Sequence, residues 1–527
     1  MTDITFITSN QTKLAHARYL CRGYNVNILQ YKKLYYGTAY EEPQIYDRDK
    51  LLEDSINDAI RRWKKNVSNY GERLFFIEDT SVRIDALSDN NNEVPGVDIK
   101  YWMQSHNFAK LDAELKEKGN NRKVSVSSHI VLFLTNELKK KEKTEKDYII
   151  FKSISYGSIV NDERYFDTQI LYPWLDNKTF NKWFVPDGFD SPISMLDISD
   201  ADKCDFRKEA FEQMFNFLIK HNEIKHNNKG LSYWLHFNPL YIVCGPTCAG
   251  KSTIGKLLLE EYGYYHIETS DFMTLKYLET HGTKFSVDKH AFAAELLKVN
   301  PLVVVESTIN FIISKKIFDN FIVTGFRCPD EIYGFLKILS SQNIKMIYIT
   351  ADLSIRYNRW KNRQRDADKY TYERFIQINE LQESMGVLDV AKIQNFISYD
   401  NSKDGIINFY KDFQEKIIDA LPCEEIDINS IISLQKISLE KAILIVLAME
   451  YRKNESIYYT TTEISHLINN TFKELKKNKN NVSRYFNQAY YPYYEIKRDG
   501  NKNKYKLSPT GYSEAIFMIK NFNKYNP

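Results

Sequence analysis

The sequence lacks paired cysteines, long apolar runs and a large net charge. Six cysteines are scattered over 527 residues without a CxxC pair, so neither a zinc site nor a disulfide framework is indicated. No stretch reaches the roughly 18–20 apolar residues that cross a bilayer, and the N-terminus lacks the pattern of a signal peptide. A formal net charge of +3 argues against a generally polycationic protein. We therefore expect a soluble, cytoplasmic protein with no membrane partner.

What the sequence does contain is alternating apolar and helical patterns over most of its length. Hydrophobic residues make up 43%, which is enough for several packed cores. Strand-like runs separated by helical patterns predict an α/β fold in two segments, and a change of pattern after about residue 436 predicts a third domain. A polar, Asn-rich stretch at 221–229 is the best linker candidate. The predicted domains are 1–225, 238–421 and 436–527.

One motif has the spacing of a phosphate-binding loop. Residues Gly245–Ser252, GPTCAGKS, follow the apolar run Pro239–Cys244 and precede a helical run. Glycines let backbone N–H groups converge on phosphate oxygens, and the helix N-terminus adds positive potential. Lys251 would neutralise the phosphates and Ser252 would coordinate Mg²⁺. The motif therefore predicts ATP binding with Mg²⁺. The expected contacts are Gly245, Thr247, Gly250, Lys251, Ser252 and Thr253.

The motifs that follow the loop indicate phosphoryl transfer. Ile267–Asp271 ends in an acidic residue, and Thr324–Glu331 reads TGFRCPDE. A cluster of arginines, suited to a mobile lid over two nucleotides, comprises Arg356, Arg359, Arg363 and Arg365. Together these motifs resemble the nucleoside monophosphate kinase family, in its adenylate-kinase-like and dephospho-coenzyme-A-kinase-like branch. The resemblance implies that Arg327 faces the acceptor phosphate and that Arg359 and Arg363 act from the lid. A solvated basic helix face is the alternative for the cluster.

The resemblance leaves the acceptor side open at one position. Thr324 stands where an acidic residue is expected. Glu306, at the end of the predicted strand Leu302–Val305, could supply that carboxylate, or could be an ordinary polar residue at a strand end. The acceptor nucleotide is therefore not identified by the sequence.

The first segment carries a second set of nucleotide motifs. Thr8-Ser9-Asn10 and Lys13 follow the first strand, and Glu78-Asp79 ends another. With Val94–Trp102, Phe184–Phe189 and Phe206-Arg207, these motifs resemble the inosine triphosphate pyrophosphatase family. The resemblance covers about residues 1–220. It implies cleavage of non-standard purine nucleoside triphosphates to the monophosphate and pyrophosphate, by a homodimer.

The resemblance also implies roles for individual residues. Lys13 would grip the phosphates, with Thr8 and Asn10 in the same turn. Glu42 and Glu78 would hold magnesium, and Asp79 would activate water or complete the metal site. Lys100 and Arg207 would contact phosphate or base. For Glu78-Asp79, a strand-end turn with capping roles is the alternative.

Two departures affect base recognition. Asp205-Phe206-Arg207 stands where the family carries Ser-His-Arg, and Phe180-Asn181-Lys182 replaces a Trp/Tyr-Asp-Pro stretch. The domain could accept another base, or bind nucleotide without turnover.

The last segment resembles a winged-helix domain. Asn478–Asn487 would be the recognition helix, and Arg498-Asp-Gly-Asn501 would turn a hairpin wing at 494–507. Ten Lys or Arg and three acidic residues lie between 473 and 507, which suits contacts with a DNA backbone. Protein contact or dimerisation is the alternative.

Two functions follow from these segments. The first is a multidomain enzyme that hydrolyses a purine nucleoside triphosphate and phosphorylates a nucleoside monophosphate with ATP. The alternative is a nucleotide-sensing regulatory or defence protein, whose winged helix binds DNA or a protein partner.

Overall fold

A computed structural model describes the chain in eleven stretches. They are residues 2–31, 48–89, 92–227, 239–284, 287–315, 320–339, 343–362, 371–402, 406–418, 437–472 and 475–525. The chain divides into two compact units, 1–234 and 235–527. Both units combine sheets with helices, so the predicted α/β class is confirmed.

The first unit is built on a mixed sheet with seven strands among the described residues. The strands are β1 (Thr2–Phe6), β2 (Val26–Gln30), β3 (Leu74–Ile84), β4 (Pro95–Gly96), β5 (Lys123–Phe133), β6 (Tyr148–Ile159) and β7 (Phe184–Pro186). Their order is β2-β1-β3-β5-β6-β7, with β4 beside β3. β1 pairs in parallel with β2 and β3, and the remaining pairs are antiparallel. The turn after β1 and the middle of β3 therefore lie side by side.

Helices cover this sheet. They are α1 (Gln11–Leu20), α2 (Arg48–Asn66), α3 (Ile99–Ser105), α4 (Phe108–Glu117), α5 (Asn136–Glu142), α6 (Ile198–Cys204) and α7 (Lys208–Lys220). α2 buries Trp63, whose ring lies 4.8 Å from that of Phe75. α7 buries Ala210, Met214 and Leu218, which recur every four residues along one helix face. That packing fixes Arg207, the N-cap residue of α7, over the sheet.

The second unit contains a parallel sheet of five strands within the described ranges. They are β8 (Leu240–Cys244), β9 (Tyr265–Glu268), β10 (Phe321–Thr324), β11 (Ile344–Thr350) and β12 (Phe396–Asp400). The order is β12-β11-β8-β10-β9, and every pair is parallel. β8 is central and fully buried, as its unbroken apolar run predicts. Because parallel strands end at the same edge, the loops after β8, β9 and β10 meet there.

Helices connect these strands. They are α8 (Lys251–Tyr262), α9 (Thr269–His281), α10 (Lys289–Val299), α11 (Val303–Ser314), α12 (Pro329–Ile338), α13 (Leu353–Asn362), α14 (Tyr372–Met385), α15 (Val387–Val390) and α16 (Ile406–Ile417). The predicted strand Leu302–Val305 is wrong, since most of it belongs to α11. Val304, Thr308 and Ile312 are buried at a spacing of four, so the apolar run continues as a helix face.

The C-terminal segment packs into the second unit. It contains α17 (Leu439–Lys453), β13 (Tyr459–Thr460), α18 (Thr461–Thr471), α19 (Lys479–Gln488), β14 (Tyr494–Asp499), β15 (Lys502–Leu507) and α20 (Pro509–Tyr525). The three strands form an antiparallel sheet in the order β13-β15-β14. Gly500, with φ of +56°, turns the hairpin between β14 and β15. Thr460 caps α18, because its side chain accepts from the Glu463 N–H.

Within the described residues, no single helix is long and apolar enough to span a membrane. α10 and α11 reach that length only when taken together, and they are bent by 91° where they meet. The described cysteines are all free thiols, comprising Cys21, Cys204, Cys244, Cys248 and Cys328.

Candidate functional site

The first unit contains a cavity of about 640 Å³ where the sequence motifs converge. The loop after β1, the middle of β3, the start of α3 and the start of α7 all contribute to its wall. Seven of the predicted site residues line it: Thr8, Asn10, Lys13, Glu78, Asp79, Lys100 and Arg207. Glu42, an eighth predicted residue, lies outside the described residues.

The turn after β1 is organised by its own side chains. The Asn10 Oδ1 accepts hydrogen bonds from the N–H groups of Thr12 at 2.9 Å and Lys13 at 3.1 Å, which caps α1. The Thr8 hydroxyl accepts from the Asn10 N–H at 3.1 Å. A helix N-terminus with a lysine in its first turn attracts anions. The turn can therefore hold the phosphate end of a nucleotide.

Glu78 is the buried centre of the cavity floor. Its carboxylate lies 3.0 Å from the Lys13 ammonium and accepts from the Arg207 guanidinium at 3.1 Å. The hydroxyls of Thr80 and Ser128 donate to it at 2.8 and 2.9 Å. Burial pushes its pKa upward, but the charges of Arg207 and Lys13 and the Thr80 hydrogen bond outweigh this and hold the pKa below its ordinary value. Glu78 is thus ionised, and it positions both cations at the cavity.

The donor chemistry of this cavity suits Mg²⁺. This ion binds proteins through one or two carboxylates and completes its shell with phosphate and water oxygens. Glu78 and the half-buried Asp79 supply adjacent carboxylates on β3. Within the described residues, no group of three or more His, Cys, Asp or Glu side chains could hold a metal ion.

One group in this region was missed by sequence reasoning. His16 of α1 lies 2.5 Å from the Asp205 carboxylate and stacks on Trp174, with ring centroids 4.5 Å apart. Burial raises the pKa of Asp205, but the adjacent His16 and the Arg207 N–H lower it overall. Phe206, which replaces the expected histidine, lines the large cavity beside Trp174. A histidine is thus present near Phe206, but it belongs to α1. The spacing of residues in the sequence gave no indication of this contact.

The P-loop has the predicted strand–loop–helix geometry. Gly245 has φ of +140°, and a Cβ there would lie 2.0 Å from the Ile349 carbonyl oxygen. Gly250, with φ of +118°, precedes α8, so only glycine suits either position without strain. The Lys251 ammonium donates to the carbonyls of Gly245 at 2.7 Å and Pro246 at 2.8 Å. Ser252 and Thr253 follow in the first turn of α8.

Neighbouring side chains hold the outside of this loop. The Thr247 N–H donates to Gln382 of α14 at 3.0 Å, and Asn401 donates to the Ala249 carbonyl at 2.8 Å. The Arg359 guanidinium donates to the Asn401 carbonyl at 2.9 Å. Arg356 is buried and donates to the Ala351 carbonyl at 3.0 Å. These two arginines therefore support the loop, whereas Arg363 and Arg365 lie outside the described residues.

A cavity of about 270 Å³ adjoins the loop. Glu268, the last residue of β9, and Asp271 of α9 line it together with Lys289, His290 and Arg327. Burial raises the pKa of Asp271 well above its ordinary value, and the nearby charges of Glu268 and Glu495 add to this. Burial and the Arg327 charge lower the pKa of His290 to about 4, so this ring is neutral at pH 7.

The carboxylate beside Thr324 is that of Glu268 and not that of Glu306. Glu306 is exposed on α11, whereas Glu268 accepts a hydrogen bond from the Thr324 hydroxyl at 2.7 Å. Thr324 stands where the family resemblance expected an acid, and it positions an acid supplied by the neighbouring strand.

The C-terminal segment carries exposed basic residues. Lys479 and Arg484 are exposed on α19, and Arg498 and Lys502 are exposed at the hairpin. The basic stretch 473–507 also contains Lys506, but this side chain is buried and its ammonium lies 3.3 Å from the Glu495 carboxylate.

Two nucleotide-type sites on α/β units define a multidomain nucleotide-processing protein. The comparisons with known proteins point the same way. Residues 4–217 match the model of the Ham1 family, and residues 244–375 match an AAA domain model. The N-terminal part is therefore Ham1-like, and the central part is a P-loop, kinase-like domain.

Two curated relatives match part of the chain. A UPF0200 protein of Pyrococcus furiosus is 28% identical over 103 residues, which are 20% of this chain and 46% of that protein. A UPF0200 protein of Pyrococcus abyssi is 26% identical over 93 residues, which are 18% of this chain and 49% of that protein. The chain thus spans about half the length of the curated relatives it matches.

Solved structures show only distant likeness. A HAM1 protein from Coxiella burnetii has 18% identity and a TM-score of 0.31, with 42% of this chain and all 100% of that chain covered. The Ham1 protein of Staphylococcus aureus has 15% identity, a TM-score of 0.29 and coverage of 42% and 100%. A nucleoside-triphosphatase, dITP/XTP pyrophosphatase from Mycobacterium abscessus has 18% identity, a TM-score of 0.28 and coverage of 40% and 98%.

Proposed function

We propose that the first unit hydrolyses a purine nucleoside triphosphate, including non-standard purines, to the monophosphate and pyrophosphate. The observation that carries this proposal is the convergence of Lys13, Glu78, Asp79, Lys100 and Arg207 on one cavity. Cations there would bind the polyphosphate, and carboxylates would serve a metal and a water molecule. The family resemblance supports a homodimer as the working form.

In the proposed reaction, a water oxygen attacks the α-phosphorus of the bound nucleotide. The bond from that phosphorus to the α–β bridging oxygen breaks, and pyrophosphate leaves with the electron pair. Asp79 takes the proton from the attacking water. Lys13 and Arg207, both positioned by Glu78, stabilise the growing negative charge. Bound Mg²⁺, held by Glu42, Glu78 or Asp79, would supply further charge neutralisation.

In the second unit, the proposed activity is transfer of the γ-phosphoryl group of ATP to a nucleoside monophosphate. An acceptor phosphate oxygen attacks the γ-phosphorus, and the bond to the β–γ bridging oxygen breaks. ADP leaves, and a nucleoside diphosphate forms. Lys251 and the loop N–H groups would bind the donor, Ser252 would hold Mg²⁺, which would neutralise phosphate charge, and Arg327 would contact the acceptor phosphate.

One panel of reactions tests both activities. Purified full-length protein is incubated with Mg²⁺ and a set of nucleoside triphosphates, and pyrophosphate release is measured. The Asp79→Asn variant is expected to lose pyrophosphate release but keep ATP-dependent phosphorylation of monophosphates. Lys251→Ala is expected to show the reverse. Tight triphosphate binding by the first unit without turnover would favour the nucleotide-sensing alternative.

The exposed basic residues of the C-terminal segment favour a second candidate function. Three helices, a glycine-containing hairpin and a basic third helix suit a winged-helix domain that binds a DNA backbone. Lys479, Arg484, Arg498 and Lys502 would make the phosphate contacts. Binding of a protein partner by the same surface is the alternative.

A further inference from the structure

The cavity beside the P-loop is lined in part by residues from the C-terminal segment. Tyr458, Glu495 and Pro509 share it with Lys251 and Glu268, although nearly 200 residues or more of sequence separate the two groups. Tyr458 immediately precedes β13, and Glu495 lies in β14. A segment that reads in sequence as a separate domain thus supplies one wall of the kinase-like site.

This wall is anchored to the parallel sheet by buried hydrogen bonds. The N–H of Glu268 donates to the Thr510 hydroxyl at 3.0 Å, and the Thr510 N–H donates to Asp271 at 3.1 Å. The His266 N–H donates to the Ser513 hydroxyl at 3.2 Å. α20 therefore covers β9, the edge strand of the sheet, and accepts hydrogen bonds from the N–H groups on the outer side of that strand. Glu495 is consequently held at a fixed place relative to the loop.

Glu495 is positioned by two partners of its own. The Tyr458 hydroxyl donates to its Oε2 at 2.8 Å, and the Lys506 ammonium lies 3.3 Å from the same oxygen. The Lys506 side chain is 4% exposed and the Glu495 side chain is 24% exposed. Glu495 also lines the cavity, so its carboxylate is within reach of a ligand bound there. The arrangement is that of a preorganised acceptor on a cavity wall.

Three carboxylates line the cavity, those of Glu268, Asp271 and Glu495. Glu268 interacts with the Lys251 charge, and Asp271 interacts with both Glu268 and Glu495. Lys289 and Arg327 also line the cavity and suit the phosphate of an acceptor. The acidic and aromatic wall suits the uncharged part of that acceptor instead, because carboxylates repel phosphate and accept hydrogen bonds from N–H and O–H groups.

We propose that Glu495, held by Tyr458 and Lys506, recognises the nucleoside part of the phosphate acceptor by accepting a hydrogen bond from its base or sugar. The C-terminal segment thereby determines which monophosphate is used. This inference rests on the proposed kinase activity. The ligand chemistry is a hydrogen-bond donor, which is an exocyclic amino group of the base or a hydroxyl of the sugar.

Steady-state kinetics of the full-length protein test this inference. The variants are Glu495→Gln and Tyr458→Phe, with Tyr459→Phe as matched control. Tyr459 bonds to Glu450 at 2.8 Å in the same segment, and it is a neighbour in sequence. Glu495→Gln keeps an acceptor oxygen but removes its charge, so a weaker, neutral hydrogen bond is expected to raise the acceptor KM about tenfold. The KM for ATP should stay near that of the wild type. The melting temperature of Glu495→Gln is expected to fall, because the buried Lys506 ammonium loses its counter-charge.

Paired acceptors identify the donor group. Guanosine and inosine monophosphates differ by the 2-amino group, adenosine and inosine monophosphates by the 6-substituent, and ribo and deoxy forms by the 2′-hydroxyl. The group that Glu495 binds should discriminate one pair in the wild type and lose that discrimination in Glu495→Gln. Unchanged acceptor KM and selectivity in folded Glu495→Gln, beside an active wild type, would overturn this inference alone. A wild type that phosphorylates no monophosphate in the panel would instead overturn the proposed kinase activity, and this inference with it.

Discussion

A single carboxylate, that of Glu78, organises the cations of the first site. The motif predicted a metal ligand, and that role stays a prediction. The structure adds two ion pairs, with Lys13 at 3.0 Å and with Arg207 at 3.1 Å, inside the protein. Without this buried counter-charge, neither cation would be held in its position at the cavity. Glu78 therefore affects both the stability of the unit and the binding of substrate.

We expect Glu78→Gln to destabilise the first unit by about 3 kcal/mol at pH 7, since breaking a buried ion pair leaves uncompensated charge. The pKa of Glu78 is lowered in the folded state. Its stabilisation is therefore fully present above the unfolded-state pKa of about 4.3 and is lost as pH falls below that value. The gap between wild type and variant should shrink at acid pH. Urea unfolding followed by tryptophan fluorescence measures it.

The exposed pair of Glu137 and Lys141 provides a control for this measurement. Both side chains are open to solvent and lie at i and i+4 of α5, with a 2.7 Å separation. Glu137→Gln should unfold close to the wild type at every pH, because water screens such pairs. If the Glu78→Gln gap were the same from pH 3 to pH 7, the buried ion pairs would not be its cause.

Among the elements, α20 packs against β9 and joins the C-terminal segment to the kinase-like sheet. Thr510 is fully buried and accepts from the Glu268 N–H at 3.0 Å. Neither end of this bond stands out in the sequence, since a threonine after a proline reads as an ordinary helix start. Long-range pairing of this kind is visible only once the chain is folded.

We expect Thr510→Val to lower the free energy of unfolding of the second unit by about 1–3 kcal/mol. The substitution keeps the size of the side chain but removes the acceptor, so a buried N–H of the edge strand loses its partner. Thr510→Ser keeps the hydroxyl and is the matched control. Thermal unfolding of both variants decides the matter. A loss of stability in Thr510→Ser with none in Thr510→Val would mean that the methyl group, rather than the hydroxyl, stabilises this contact.

At the scale of the elements, several strands were predictable and two assignments failed, since Leu302–Val305 is not a strand and Glu78-Asp79 lie in the middle of β3 instead of at its end. β8 and β10 are unbroken apolar runs, which is the pattern of buried parallel strands. The same pattern at Leu302–Val305 opens α11 instead, because the residues that follow continue an apolar face at helical spacing. A short apolar run does not distinguish a strand from a buried helix.

For the whole molecule, the basic residues of the C-terminal segment predict salt-dependent binding to duplex DNA. Replacing Lys479 and Arg484 by Gln should weaken binding and reduce the slope of log affinity against log salt by roughly 2, since each phosphate contact contributes about 0.9. Fluorescence anisotropy at several salt concentrations measures this slope.

A double variant with the same change of charge serves as control. Lys416 and Lys453 are both exposed on other helices, each paired with a carboxylate. Replacing these two by Gln should leave the slope unchanged. Equal slopes for both double variants would indicate a diffuse charge effect, and absence of DNA binding in the wild type would favour a protein partner.

The sequence by itself determined the P-loop, the α/β class and the grouping of motifs into two nucleotide sites. These features depend on local spacing, because a turn, its glycines and the adjoining helix lie within a few residues of one another. Only the tertiary structure decided that His16 meets Asp205, that Thr324 supports Glu268, and that Glu495 lines the kinase-like cavity. Those contacts join residues tens to hundreds of positions apart, and they depend on how strands and helices pack, which no local pattern encodes.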